Sequence, residues 1–228
     1  MTRTLVVTLL SFYISTVVAQ SQGSVSVVPM VGGEYPRNNE KFANLTKGSQ
    51  FFQDEWVRSK LTTPGGTVYN NVEVKLNIVD DKVHFLGENG KELVIKEIIS
   101  AIELQPNAKG EKYFFLNGST LSVPGSKKGW HQVLVSDSIT LLKSFSKAVV
   151  EHKSYGAPIE YSIETTEDFT VLYNNQAFTV TKPADLALVL PAKRDQIELG
   201  VKNFGKRMSR EEQLVAITTY LNMVNKKT

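Results

Sequence analysis

Residues 72–78 read Val-Glu-Val-Lys-Leu-Asn-Ile, a strict apolar/polar alternation. A period of two places Val72, Val74, Leu76 and Ile78 on one face of a strand and Glu73, Lys75 and Asn77 on the other. Asp80-Asp81 marks a turn, after which Val83 resumes the pattern. His84, between Val83 and Phe85, is expected on the solvent face. Glu88-Asn89-Gly90-Lys91 predicts a second hairpin, because Asn-Gly accommodates the positive φ that a type I′ turn needs at both central positions. Residues 92–95 continue the series, followed by Ile98, Ile102 and Leu104. The stretch is an antiparallel meander with one buried face.

Further short strands follow at 112–116, 131–135, 139–145, 159–163, 169–173 and 177–180, each bounded by turn residues. Asn117-Gly118 reads as another hairpin turn, with Leu121 and Val123 continuing the sheet. Glu164, Glu167 and Asp168 are expected to flank a turn, and Asn174-Asn175 to make a tight one. At Thr181-Lys182-Pro183 the period changes. Thr181 is placed to cap a helix carrying Leu186, Val189 and Leu190, with Pro183 tolerated in its first turn and Pro191 ending it. A second helix is expected over 192–204, stopped by Gly205. Ser209-Arg210-Glu211-Glu212 is a capping box, and the final helix sets Leu214, Ile217, Leu221 and Val224 on one stripe. That stripe needs cover, and the Val72–Ile78 face is its expected partner. The fold class is therefore α+β, mainly β: an antiparallel meander, as a strongly curved sheet or partly open barrel, with a C-terminal helical unit packed on it.

The chain opens Met1-Thr2-Arg3 and runs into an apolar stretch that ends Val17-Val18-Ala19. One basic residue, a short apolar core and a small residue are the parts of a secretory signal cleaved before Gln20. The run is too short, and too interrupted by Ser and Thr, to span a bilayer. The expected organisation is a signal peptide at 1–19 and a Gly/Ser/Asn/Pro-rich lead-in at 20–48, where Val25, Val27 and Val31 suit an edge strand. An antiparallel β region at 49–182, opening on Phe51, Phe52 and Trp56, precedes helices at 183–228. An exported protein, periplasmic or extracellular and without a transmembrane anchor after cleavage, is the expectation.

Composition narrows the chemistry. The chain has no cysteine, which excludes disulfides, thiolate metal sites, a cysteine nucleophile and a lipid-modified N-terminal cysteine. Lys and Arg number 26 against 23 Asp and Glu, mixed along the chain, so no basic footprint for a nucleic acid is present. The segment 191–228 holds eight Lys/Arg against four Asp/Glu, the ordinary wet side of amphipathic helices.

Three stretches resemble a group of uncharacterised exported proteins of Bacteroidota: Gly66-Thr67-Val68-Tyr69-Asn70-Asn71-Val72, the strand pair within 133–142, and the closing pattern from Asp185 through Pro191 and Ile197 to the final helix. The resemblance implies export and architecture; it carries no activity and no catalytic residue.

Candidate sites are sparse. Gly200-Val201-Lys202-Asn203-Phe204-Gly205-Lys206 nearly spells a phosphate loop, but Arg207 stands where Ser or Thr must bind magnesium, and no strand precedes it. His84, His131 and His152 show no metal-ligand spacing. No Gly-x-Ser-x-Gly elbow occurs. The sequence therefore implies no catalytic residue, no cofactor and no metal. It points to a non-catalytic binding scaffold whose partner is an envelope protein or surface component. Trp130, Lys127, Lys128, Phe51, Phe52 and Trp56 are the candidate interaction surface. A carrier enclosing an apolar ligand in its curved sheet is the alternative, and an unrecognised hydrolase the third reading.

Overall fold

The computed structural model describes residues 33–37, 40–87, 90–106, 110–156, 158–204 and 208–225. The expected signal, the 25–31 edge strand, Asn89 and Gly205 lie outside them. Among the described residues twelve strands form one sheet: β1 (Gly33–Glu34), β2 (Leu45–Lys47), β3 (Val57–Thr62), β4 (Val68–Asn77), β5 (Lys82–Leu86), β6 (Glu92–Ile95), β7 (Ala101–Gln105), β8 (Tyr113–Asn117), β9 (Trp130–Val135), β10 (Thr140–His152), β11 (Glu160–Tyr173) and β12 (Gln176–Val180). The spatial order is β1-β6-β5-β4-β3-β7-β8-β9-β10-β11-β12, with β2 joining β11 as a parallel partner. The helices are α1 (Glu40–Ala43), α2 (Leu186–Val189), α3 (Arg194–Phe204) and α4 (Arg210–Asn225).

Register carries one face across the whole sheet. Phe85 opposes Val74, and Val74 opposes Val57, which shares its face with Leu61. Leu61 leads through Ile102, Phe115, Gln132 and Lys143 to Phe169 and Val180. Asn71, at φ 58, is the extra residue of a bulge in β4, so Tyr69 and Val72 point to the same side despite their odd spacing.

The first half of this face curls over itself while the sheet stays open, with no strand pair among the described residues closing it into a barrel. β5 and β9 are five steps apart in the strand order, or about 24 Å in a flat sheet at ~4.8 Å per step. Yet the Trp130 indole, at the head of β9, donates to the Asp81 carbonyl beside β5 at 3.2 Å. Only a strongly curled sheet allows that contact. Val57, Leu61, Val74, Leu76, Val83, Ile102, Leu104, Phe115 and Trp130 fill the curl. Phe52 stoppers it, its ring 4.9 Å from Phe115 and 5.4 Å from Phe145. The Lys147 ammonium pins the Phe52 segment by donating to the Ser49 and Phe51 carbonyls; burial lowers its pKa, against the opposing pull of Asp54.

The second half is covered by helices. Ile139, Leu141, Phe169, Val171 and Val180 meet Leu186, Leu190, Ile197, Leu214, Ile217 and Leu221. Asn222 behaves as a strand partner for Ile139, accepting its amide at 2.9 Å and donating to its carbonyl at 2.8 Å. The Ser209 capping box forms as expected, with Ser209 N donating to Glu212 at 2.7 Å and Glu212 N to the Ser209 hydroxyl at 3.2 Å. Gly200 is a packing glycine: a Cβ there would stand 3.0 Å from Ile217 on α4.

Several expectations are corrected. The α4 stripe joins the cluster of Ile139, Leu141 and Phe169 and lies against β9 and β10 rather than the Val74–Ile78 face, because the curl has already buried that face. The Asp185 carboxylate, not Thr181, caps the first C-terminal turn, accepting the amides of Thr181 and Lys182 at 2.9 Å each. Residues 160–173 form one strand, so Glu164, Glu167 and Asp168 sit within β11 and flank no turn. Two of them meet lysines: Lys143 lies 2.8 Å from Glu167 and Lys127 3.0 Å from Asp168. Asn117-Gly118 opens a 3₁₀ turn instead of a hairpin, and Leu121 and Val123 lie outside the strands. Gly118 is required there by the Lys127 carbonyl, which would stand 1.9 Å from a Cβ. Asn174-Asn175 makes the expected tight turn, at φ 49 and 57.

Candidate functional site

The outer face of the sheet carries the polar chemistry. Alternation along β5 puts His84 on that face, opposite Val83 and Phe85, as the sequence implies. The expected solvent exposure does not follow, since His84 is only 4% exposed. The Phe51 ring lies edge-on at 5.2 Å, and the β5–β6 hairpin brings a carboxylate alongside. Leu86 opposes Glu92 and His84 opposes Val94, so His84 and Glu92 are diagonal neighbours on one face. His84 Nδ1 lies 2.5 Å from Glu92 Oε1.

Asn77 fixes the rest of the ring's chemistry. Its Oδ1 accepts the amides of Val79 at 3.0 Å and Asp80 at 3.1 Å, which leaves Nδ2 facing His84 Nε2 at 3.5 Å. A carboxylate only accepts, so Nδ1 carries the proton donated to Glu92, and in the neutral ring Nε2 keeps the lone pair. At 3.5 Å the Asn77 contact is too long to fill that lone pair.

A pocket of about 990 Å³ opens beside this dyad. Glu34, Tyr35, Gln50, Asp80, Lys82 and Glu92 stand in its wall, and Phe42 of α1 supplies an apolar side. Glu34 reaches it because β1 sets Glu34 opposite Val94, next to His84. Lys82 lies 3.7 Å from Glu34. The Gln50 side-chain oxygen is buried and without a hydrogen-bond partner. The site thus presents two underused acceptors, Gln50 Oε1 and His84 Nε2, beside the Glu34–Lys82 and His84–Glu92 pairs. Such a wall holds hydrogen-bond donors. Among the described residues no group of three or more His, Asp or Glu is gathered to hold a metal ion.

The sequence-derived interaction residues do not form one surface. Trp130 is 3% exposed and belongs to the curled core, which corrects its assignment as an exposed anchor: the Gly129-Trp130 step enters β9 with the indole turned onto the apolar face. Phe52 is likewise turned inward. Phe51 and Trp56 share the Lys75 ammonium, 5.2 and 4.9 Å from their ring centroids, on the outer face. Lys127 and Lys128 are exposed on the β8–β9 loop, where the Lys127 carbonyl is 2.8 Å from His131 Nε2. Only Phe51 touches the dyad.

The sequence places His84 and Asn77 on the polar face of their strands without giving them a role, and does not single out Glu92 or Gln50. The signal was present for one pair: a hairpin centred on 88–91 puts residues 84 and 92 on the same face. Gln50 is brought in by its backbone, whose carbonyl accepts the Ile78 amide at 2.9 Å, and no local pattern announces that. Comparison of the chain with protein-family models, curated proteins and solved structures finds no match. No helix among the described residues is long and apolar enough to cross a membrane.

Proposed function

We propose that the protein is a non-catalytic binding protein of the bacterial envelope, exported by its first 19 residues, that takes its ligand on the outer face of the sheet at the His84 pocket. One observation carries this reading. Both halves of the apolar face are occupied by the protein's own side chains, whereas the outer face offers an open pocket with an unpartnered acceptor, Gln50 Oε1, in its wall. The carrier alternative needs a lumen in the curl, and that space holds Phe52, Phe115 and Trp130.

The His84–Glu92 pair favours hydrolysis as a second reading. A carboxylate on Nδ1 and a lone pair on Nε2 held only by a long contact is the arrangement of a general base. Binding and hydrolysis separate in one assay. Purified protein should co-sediment saturably with washed envelopes and show no turnover of chromogenic ester and glycoside substrates. Turnover abolished by His84→Gln, or co-sedimentation that never saturates, overturns the binding reading.

A further inference from the structure

Resting on the pocket as the binding site, the geometry points to its ligand class: we infer that it takes a neutral, hydroxyl-rich molecule, a saccharide unit, whose hydroxyls donate to Gln50 Oε1 and His84 Nε2.

A buried polar atom without a partner costs free energy, so a group that supplies the missing bond gains the most there. Gln50 Oε1 has no partner, and His84 Nε2 has only the long Asn77 contact. Asn77 cannot turn to fill it, because its Oδ1 is held by two backbone amides. Both atoms accept, so the ligand must donate at two points.

Charge then selects among donors. Glu92 is committed to His84 at 2.5 Å, and Glu34 sits between Lys82 at 3.7 Å and Lys96 at 4.0 Å. Asp80 faces the Asn77 amide at 3.5 Å. Lys82 and Arg37 stand in the same wall, and an ammonium, which only donates, has nothing to offer them. A hydroxyl meets the opposite requirement: it donates to the two acceptors and accepts from the Lys82 and Arg37 cations in the same wall. Tyr35, 66% exposed at the pocket, offers a ring face to the C–H side of a sugar, the amphipathic use to which tyrosine is suited. The volume, about 990 Å³, is at the upper end of the ~300–1,000 Å³ of small-molecule sites, room for more than one sugar ring.

The test is an NMR titration of the full chain, isotope-labelled, with glucose, galactose, N-acetylglucosamine and their β-linked disaccharides, and in parallel with putrescine as a cationic donor. The His84 imidazole and Gln50 amide resonances are followed. At least one saccharide should move both saturably. Tyr35→Ala and Gln50→Met should each weaken that binding at least tenfold with an unchanged melting temperature; Tyr35 is exposed, so its variant tests the site without a folding burden. Shifts with putrescine and none with any saccharide overturn the ligand class while leaving the pocket as the site. Silence of both resonances with every probe, in a protein that still co-sediments with envelopes, overturns the inference and leaves the binding reading standing. Saccharide shifts that both variants leave intact overturn it as well.

Discussion

The two halves of the sheet solve one problem in different ways. From β3 to β9 the apolar face is buried by curling, so strands far apart in order share one core, held by the Trp130–Asp81 hydrogen bond and stoppered by Phe52. From β9 to β12 the same face stays open and is buried by helices from the end of the chain. Lys143 stands at the seam, 2.8 Å from Glu167 of β11 and 2.7 Å from Glu211 of α4. The difference teaches that burial of the apolar face leaves the outer face free in both halves. That is where the dyad, the pocket and the cation-shared aromatics lie.

The comparison breaks most visibly if the helices are removed. A chain ending at Val180 exposes Ile139, Leu141, Phe169 and Val171 together, each worth on the order of 1.5–3 kcal/mol of burial. We expect aggregation or loss of cooperative unfolding, read by light scattering and thermal melts. A soluble truncation with an unchanged melting temperature would make the helices an independent module.

Single cavities should sharpen the contrast. Phe115→Ala, in the curl, should cost about 3–5 kcal/mol, and Leu214→Ala, under the helices, about 2–5 kcal/mol. Native-state hydrogen exchange should locate the first loss in β3–β8 and the second in β10–β12 and α4. Exchange that rises equally everywhere in both variants would merge the two cores into one.

Ser209→Ala should remove about 0.5–2 kcal/mol, measured by denaturant unfolding, since the hydroxyl accepts the Glu212 amide at the start of α4. The seam gives a smaller, pH-dependent effect. Burial lowers the Lys143 pKa, but hydrogen bonds to Glu167 and Glu211 outweigh it and hold the ammonium above the ordinary lysine range. A raised folded pKa contributes stability that is full below the unfolded value, ~10.4, and is lost as pH rises through the folded value. The denaturant midpoint should therefore fall at high alkaline pH more steeply in the native protein than in Lys143→Met. Parallel slopes would remove Lys143 from the seam.

Local rules carried the reading of the C-terminal unit. Ser209 and Glu212 form their box, and Leu214, Ile217 and Leu221 are buried, because a helix stripe and its cap are written within one short segment. The alternation of β4 was equally legible. Its partner was not: which surface covers Val74 depends on the curl, and the curl depends on the Asn71 bulge and on Trp130 meeting Asp81, 49 residues apart. Glu164 to Asp168 read as turn residues from their polarity, yet β10 pairs with that stretch throughout. The site was half legible. His84 and Glu92 follow from the hairpin, whereas Gln50 and Tyr35 arrive from segments whose pairing no periodicity specifies.

Methyl–methyl nuclear Overhauser contacts in Ile/Leu/Val-labelled protein report directly which residues cover which half of the face. The Leu214, Ile217 and Leu221 methyls should show cross-peaks to Ile139, Leu141 and Val171, and none to Val74, Leu76 or Val83. Cross-peaks from the α4 stripe to Val74 and Leu76 would place the helices on the first half of the sheet and contradict the self-covered curl.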